Sequence, residues 1–220
     1  KTLTALREVA VETNREWSAI FSIPQSTAIT CVKPSGTVSQ LVDSSSGIHP
    51  RHSSFYIRTV RGDNKDPLTQ FMIDSKIPNE PDFMKPDTQT VFSFPMKSPK
   101  NSVVRNDMTA IEQLEMWLLY QRHWCEHKPS VTVSVRDEEW MEVGAFVFKH
   151  FDEMSGVSFL PHSDHTYQQA PYQDCTEAVY NDFSSKFGHI DWNKFTDYEK
   201  EDNTKSSQTF ACSGDSCEVV

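Results

Sequence analysis

The sequence predicts an α/β protein, and three observations carry that prediction. Residues 130–136, SVTVSVR, alternate without a break: Val131, Val133 and Val135 fall on one face and Ser130, Thr132 and Ser134 on the other, which is the period of a half-buried strand. On either side the period changes. Ile111, Leu114, Trp117, Leu118 and Trp124 recur at helical spacing before it, and Trp140, Val143, Gly144, Val147, Phe148 and Phe151 after it. A second short strand, residues 156–160 (GVSFL), follows. The order strand, helix, strand argues for a right-handed crossover in an α/β sheet.

The other elements follow along the chain. Residues 2–20 carry Leu3, Leu6, Val9, Ala10, Trp17 and Ile20 in roughly a helical stripe, which Pro24 ends. Residues 27–32 (TAITCV) read as a short buried strand that runs into KPSGTVSQ, a turn opening a helix. SSSGIHP, residues 44–50, is another turn cluster, and residues 55–61 (FYIRTVR) read as a strand bearing Arg58 and Arg61. Residues 91–94 are a further strand, closed by Pro95. Asn106 or Asp107 is read as the cap of the central helix, which is expected to end near Lys128 and Pro129; Asp137 is read as the cap of the next. From Asn181 the composition turns polar and acidic, so the chain divides into a main part, 1–180, and a solvated linker with a cysteine tail, 181–220.

Composition bounds the function. With 220 residues, 37% hydrophobic and 24% charged, the chain can build one core of good size. Its formal charge of -10 repels polyanions, so neither nucleic acid nor an anionic membrane is expected as a partner. Apolar runs fall far short of the ~20 residues that cross a bilayer, and a cytoplasmic protein is expected. Five scattered cysteines, Cys31, Cys125, Cys175, Cys212 and Cys217, do not form a secreted disulfide framework. The chain opens on Lys1 with a helical pattern already running, which is expected of a segment of a longer polypeptide or of a split subunit.

Three stretches bear on chemistry. KPSGTVSQ follows an expected strand and opens an expected helix; it reads either as an ordinary capped turn, since Ser, Thr and Gly gather at turns, or as a loop whose N–H groups and hydroxyls hold an anion. HWCEH, residues 123–127, brings at most His123 and His127 to one helical face, and with PHSDH (161–165) it leaves a metal ligand set incomplete, so no metal is expected. ACSGDSCEVV is different. Cys212 and Cys217 stand on a polar tail with four residues between them, Gly214 among these, and in a reducing compartment such a pair is catalytic or redox-sensing rather than structural. A tethered dithiol that reaches a site elsewhere fits the pattern.

Taken together, ITCVKPSGTVSQLVDSSSGIHPRHSSFYIRTVRGD, HWCEHKPSVTVSVRDEEW, GVSFLPHSDHTYQQAPYQD and ACSGDSCEVV resemble the C-terminal part of class II, adenosylcobalamin-dependent ribonucleotide reductases, closest to the monomeric ribonucleoside-triphosphate reductase type. The resemblance runs over nearly the whole chain. It implies that the strands complete part of a ten-stranded α/β barrel with a flexible C-terminal tail. It implies further that Pro34, Ser35, Gly36, Thr37, Val38 and Ser39 cradle the phosphates of a ribonucleotide substrate, and that Cys212 and Cys217 shuttle electrons from thioredoxin to an active-site disulfide during deoxyribonucleotide synthesis. The finger-loop cysteine that carries the thiyl radical in that family, and the allosteric region, have no counterpart here; Cys31, Cys125 and Cys175 read as small buried residues. The resemblance thus implies an upstream portion as partner, adenosylcobalamin contacts shared with it, and an isolated chain without activity. The alternative is a stand-alone thiol-disulfide or nucleotide-binding module, distinguished by whether an upstream partner carrying the finger-loop cysteine copurifies with it.

Overall fold

The computed structural model describes residues 1–36, 38–162 and 168–199, and the backbone alone for residues 210–213 and 216–219. In chain order come α1 (Thr2–Phe21), α2 (Val38–Leu41), β1 (Phe55–Asp63), α3 (Pro67–Asp74), β2 (Asn79–Pro81), β3 (Gln89–Lys97) and α4 (Ala110–His123). They are followed by β4 (Val131–Val135), α5 (Trp140–Lys149), β5 (Val157–Pro161), β6 (Tyr172–Asp174), α6 (Glu177–Lys186), β7 (Phe210–Ser213) and β8 (Ser216–Val219). The expected mixed α/β class is observed, with the strands in three small sheets: β2-β3-β1-β6, β4-β5 and β7-β8. The chain forms two compact units, residues 1–56 with 97–166, and residues 57–96 with 167–220. Among the described residues no helix is long and apolar enough to cross a membrane.

In the first unit the valine row of β4 is covered by α4. Leu114, Trp117, Val133 and Val135 are wholly buried, packed with Ala110, Leu118, Val131 and Val143 of α5. Each large apolar side chain so buried contributes about 1.5–3 kcal/mol. The Trp117 indole N–H still finds a partner, donating to the Pro129 carbonyl at 3.3 Å. Strand β5 lies parallel to β4 in the register Val131↔Val157 to Val135↔Pro161, so α5 is the expected crossover helix.

The caps differ from expectation. Helix α4 begins at a capping box in which Thr109 Oγ1 accepts from the Glu112 N–H and the Glu112 carboxylate accepts from the Thr109 N–H. Asp107 instead closes its own short 3-10 turn, Arg105–Asp107, by accepting the Val104 N–H at 2.9 Å. Asp137 likewise sits in a 3-10 turn, Asp137–Glu139, and the Glu139 carboxylate takes the N–H groups of Arg136 and Ala110. Helix α4 also stops at His123, five residues early. The Trp124 and Cys125 N–H groups both turn back to the Tyr120 carbonyl, and those of Glu126 and His127 go to Thr30. That capture explains a second difference: residues 27–32 form no strand. Thr30 gives its carbonyl to the chain after α4, and the Ile29 N–H donates to the Glu126 carboxylate, so these backbone groups are satisfied without a ladder.

In the second unit β2 runs antiparallel to β3, with Asn79↔Phe92 and Pro81↔Thr90 opposed. Strand β3 continues through Pro95 rather than stopping there. The Ser93 N–H donates toward β2, at the Pro78 carbonyl, and β2 reaches no further. Two residues on, the nitrogen of Pro95 faces the same vacated edge, where a missing N–H costs no ladder bond. Helix α3, which the periodicity did not reveal, starts at an Asp66 cap with Pro67 in its first turn. Beyond it the buried Asp82 accepts from Arg61 Nε at 2.6 Å and from the N–H groups of Met84 and Lys85 at 2.9 Å. Among its described residues, the segment read as a linker with a cysteine tail contains the end of α6, a 3-10 helix, Trp192–Asp197, and the strands β7 and β8.

Two predictions follow from these contacts. Gly156 has φ +67, and a Cβ there would lie 2.5 Å from the Pro129 carbonyl. Gly156→Ala is expected to cost about 1–3 kcal/mol in denaturant unfolding, with the near-ultraviolet signal of Trp117 lost at the lower midpoint. The Arg61 hydrogen bond, helped by Lys85 and Met84, holds the Asp82 carboxyl below the usual carboxylate range. The stability it contributes is therefore present above the unfolded carboxylate pKa, about 3.9, and is lost as pH falls through the folded value. Asp82→Asn should melt earlier than the parent at pH 7, and the gap should close as pH is lowered below about 4.

Candidate functional site

Residues 33–39 lie against the SSSGIHP turn within the first unit, and the two are tied through serines. The Ser35 N–H donates to Ser46 Oγ at 2.7 Å, and the Ser46 hydroxyl returns a bond to the Ser35 carbonyl at 3.0 Å. Ser35 Oγ accepts the Ser39 N–H at 3.0 Å, while the Ser39 hydroxyl donates to the Ser35 carbonyl at 2.9 Å. Gly47 allows this approach: it has φ +59, and a Cβ would stand 2.9 Å from the Lys33 carbonyl. Behind the turn, the Thr132 N–H of β4 donates to His49 Nε2 at 2.9 Å. Nε2 must then be the acceptor, so Nδ1 carries the proton and donates to the Ser46 carbonyl at 2.6 Å. Arg51, itself buried, pairs with Asp43 Oδ1 at 2.8 Å and also donates to the Asp43 carbonyl, which holds the chain just after α2.

Of the six residues expected to cradle phosphate, this arrangement separates two kinds. Ser39 is buried, and both its N–H and its hydroxyl are committed to Ser35, so it shapes the loop from inside. Pro34, Gly36 and Val38 face outward, and Ser35 is half-buried. A Cβ at Gly36 would meet nothing within 4 Å, so neither packing nor left-handed backbone requires glycine there; the space lies on the outer side of the loop. Thr37 falls outside the described residues. Lys33 is directed to β4, its ammonium donating to Ser130 Oγ at 3.0 Å. His49, Ser46 and Arg51, which support the loop, went unnoticed in the sequence because SSSGIHP has the composition of any turn.

The cysteines divide in the same way. Cys125 is buried and Cys175 half-buried, and burial pushes both thiols up. Cys31 is exposed, contrary to expectation. Cys212 and Cys217 are Cα partners across the antiparallel pair β7-β8. Directly opposed antiparallel residues have Cα atoms about 4.5–5.5 Å apart, inside the ~4.4–6.8 Å range that a disulfide spans. His123 is the last residue of α4, so HWCEH is not helical throughout, and Thr4 Oγ1 lies 3.3 Å from its Nδ1. His165 falls outside the described residues. Among the described residues no group of three or more His, Cys, Asp or Glu could hold a metal ion.

A cavity of about 300 Å³ opens beside the turn, lined by Ile48, His49, Val103, Met108, Met116 and Tyr120 among others. This is the lower end of the range for small-molecule sites, roughly 300–1,000 Å³. It does not fit a corrin cofactor.

The fold defined by these elements is shared with a B12-dependent (class II) ribonucleotide reductase, whose crystal structure superposes with a TM-score of 0.78 over 90% of this chain and 28% of that one, at 24% identity. Among curated proteins the chain is 30% identical over 215 residues to a probable adenosylcobalamin-dependent ribonucleoside-triphosphate reductase of Dictyostelium discoideum, covering 95% of this chain and 27% of that protein. It is 28% identical over 204 residues to the adenosylcobalamin-dependent ribonucleoside-triphosphate reductase of Euglena gracilis (92% and 27%) and 26% identical over 184 residues to that of Lactobacillus leichmannii (82% and 25%). No family model matches. The chain is thus homologous to a segment of adenosylcobalamin-dependent ribonucleoside-triphosphate reductases, and spans about a quarter of the length of the curated relatives it matches.

Because Ser46 is the hinge pin of the loop, Ser46→Ala leaves the half-buried Ser35 N–H without its acceptor. At a cost of about 1–2 kcal/mol, exchange of the Ser35 amide should accelerate roughly tenfold in hydrogen–deuterium measurements, while the amides of β4 keep their protection.

Proposed function

We propose that this chain supplies the substrate-phosphate loop and the electron-relaying cysteine pair of an adenosylcobalamin-dependent ribonucleoside-triphosphate reductase. In that reaction the ribose 2′-hydroxyl leaves as water, C2′ gains a hydrogen, and two thiols become one disulfide. The similarity to reductases over 95% of the chain carries the reading. It is supported by the loop of residues 33–39, whose inner polar groups are spent on its own shape while its outer side has room at Gly36. It is supported also by the register that sets Cys212 opposite Cys217.

Each residue has a role in this reading. Ser39 and Ser46 hold the loop; Ser35, Gly36, Thr37 and Val38 meet the phosphates, with Pro34 setting the entry. Cys212 and Cys217 exchange with an active-site disulfide and are re-reduced by thioredoxin. An upstream portion contributes the radical-bearing cysteine and completes the ten-stranded barrel. Adenosylcobalamin, when bound, would supply the radical chemistry, and its contacts are shared between this chain and the upstream portion. The compartment is the cytoplasm.

Reconstitution tests the proposal. The chain combined with an upstream portion, adenosylcobalamin, a ribonucleoside triphosphate and the thioredoxin system should form deoxyribonucleotide, and the chain alone should form none. Turnover by the chain alone would overturn it. In the reconstituted enzyme Gly36→Asp should raise substrate KM about tenfold or more, because a Cβ at this position meets nothing within 4 Å in this chain and the carboxylate it carries would repel phosphate. Unchanged kinetics would make the loop an ordinary turn.

A further inference from the structure

The second unit holds an aromatic cluster with no part in the proposed chemistry. Trp192, Phe195 and Tyr198 recur at every third position, and in a 3-10 helix three residues complete one turn, so all three emerge on one side. They close around Phe71 of α3 with ring centroids 5.3, 5.7 and 5.4 Å away and interplanar angles of 49°, 58° and 76°, the tilted and edge-on arrangements that aromatic rings favour. The Tyr198 hydroxyl donates to Asp74 Oδ2 at 2.9 Å, at the last residue of α3. Phe71 is 2% exposed, yet Trp192 is 55% exposed. The three rings thus grip a core residue from outside rather than forming a core themselves. Asn193 and Asp191 shape the turn that presents them, the Asp191 carboxylate accepting the Asn193 N–H.

The position of this grip along the chain is what gives it meaning. It is the last tertiary contact before the cysteine tail among the described residues, and Cys212 follows Tyr198 by about fourteen residues. Without it the preceding element is α6, which ends at Lys186, about twenty-six residues before Cys212. A tether's reach and its local concentration both depend on that count. Fourteen residues of chain span at most about 50 Å. Beyond the optimal length the effective concentration of the tethered group falls roughly as the −3/2 power of tether length.

We propose that Phe71, Asp74, Trp192, Phe195 and Tyr198 form the fixed point of the electron-relaying arm, setting the length over which Cys212 and Cys217 are tethered. These are positioning residues: they touch neither substrate nor the reacting sulfurs. The inference rests on the reading of Cys212 and Cys217 as the relay.

The experiment uses the reconstituted enzyme with two reductants in parallel, the thioredoxin system, which needs the arm, and a small dithiol able to diffuse to the active-site disulfide. Replacing the outer grip, Trp192→Ala with Phe195→Ala, lengthens the tether nearly twofold and should lower the steady-state rate with thioredoxin about 2.5-fold. The rate with the small dithiol should be unchanged, and so should substrate KM. Inserting about twelve Gly and Ser residues after Glu199 in the parent protein should lower the thioredoxin-driven rate to the same degree with the clamp intact. If the insertion slows thioredoxin-driven turnover and the clamp variant does not, the clamp is not the fixed point. Equal losses with both reductants in the clamp variant would mean a general structural role and would also overturn the inference. Cys212→Ser with Cys217→Ser provides the separate control: sustained thioredoxin-driven turnover by that variant would remove the relay reading itself.

Discussion

Strand β4 is held from one side by the burial of Val131, Val133 and Val135 under Leu114 and Trp117, and nearly everything described in the first unit hangs from it. With that face committed to the core, the strand's remaining groups become a fixed set of attachment points. The Thr132 N–H takes His49, the Ser130 N–H takes the Val32 carbonyl, and the Ser130 hydroxyl takes the Lys33 ammonium. Together these attachments fix two pieces of the chain: residues 32–33 through Ser130, and the SSSGIHP turn through Thr132. Gly47 then lets the two pieces meet at a distance a side chain would forbid.

The loop of residues 33–39 owes its shape to this relay rather than to its own propensity. Helix α2 has only four residues, too few to sustain itself in isolation. Ser35 and Ser39 exchange bonds with each other, Ser35 does so with Ser46, and Arg51 fixes the far end through Asp43. A loop whose inner hydrogen bonds are already made loses little further freedom when an anion arrives at its outer side, which is the condition for tight positioning of a flexible phosphate chain.

The second unit serves a different requirement. Its sheet is stapled by a buried polar group, Asp82, whose carboxylate gathers Arg61 and two N–H groups while Gln169 binds Glu80, Pro81 and Phe83. Helix α3 packs through Phe71 onto three aromatic residues that lie outside any long helix or strand. Where the first unit fixes the direction of a few donors, the second fixes an origin for a stretch of chain. Under the proposed function, binding a substrate phosphate would call for the first, and delivering electrons repeatedly to one place for the second.

The sequence by itself determined the α/β class, the crossover from β4 through α5 to β5, and the long helices α1 and α4, because each of these rests on a period that a single segment displays. That the backbone could bring residues 212 and 217 opposite one another was legible for a similar reason, since it depends on spacing within ten residues. Only the tertiary structure decided which hydrogen-bond partner a group takes when several are chemically equivalent. Thr30 and Ile29 look like strand residues but are satisfied by the chain after α4; Asn106, Asp107 and Asp137 look like helix caps, yet Thr109 caps α4, and the Glu139 carboxylate at the start of α5 accepts from Arg136 and Ala110. His49 and Phe71 give no local sign of what they hold, because their partners stand more than eighty and more than one hundred and twenty residues away. Trp192, Phe195 and Tyr198 did carry a sign, an aromatic at every third position in a polar stretch. Its meaning still depended on the distant ring that would receive them, and contacts of that range are set by how the chain closes on itself rather than by any one segment.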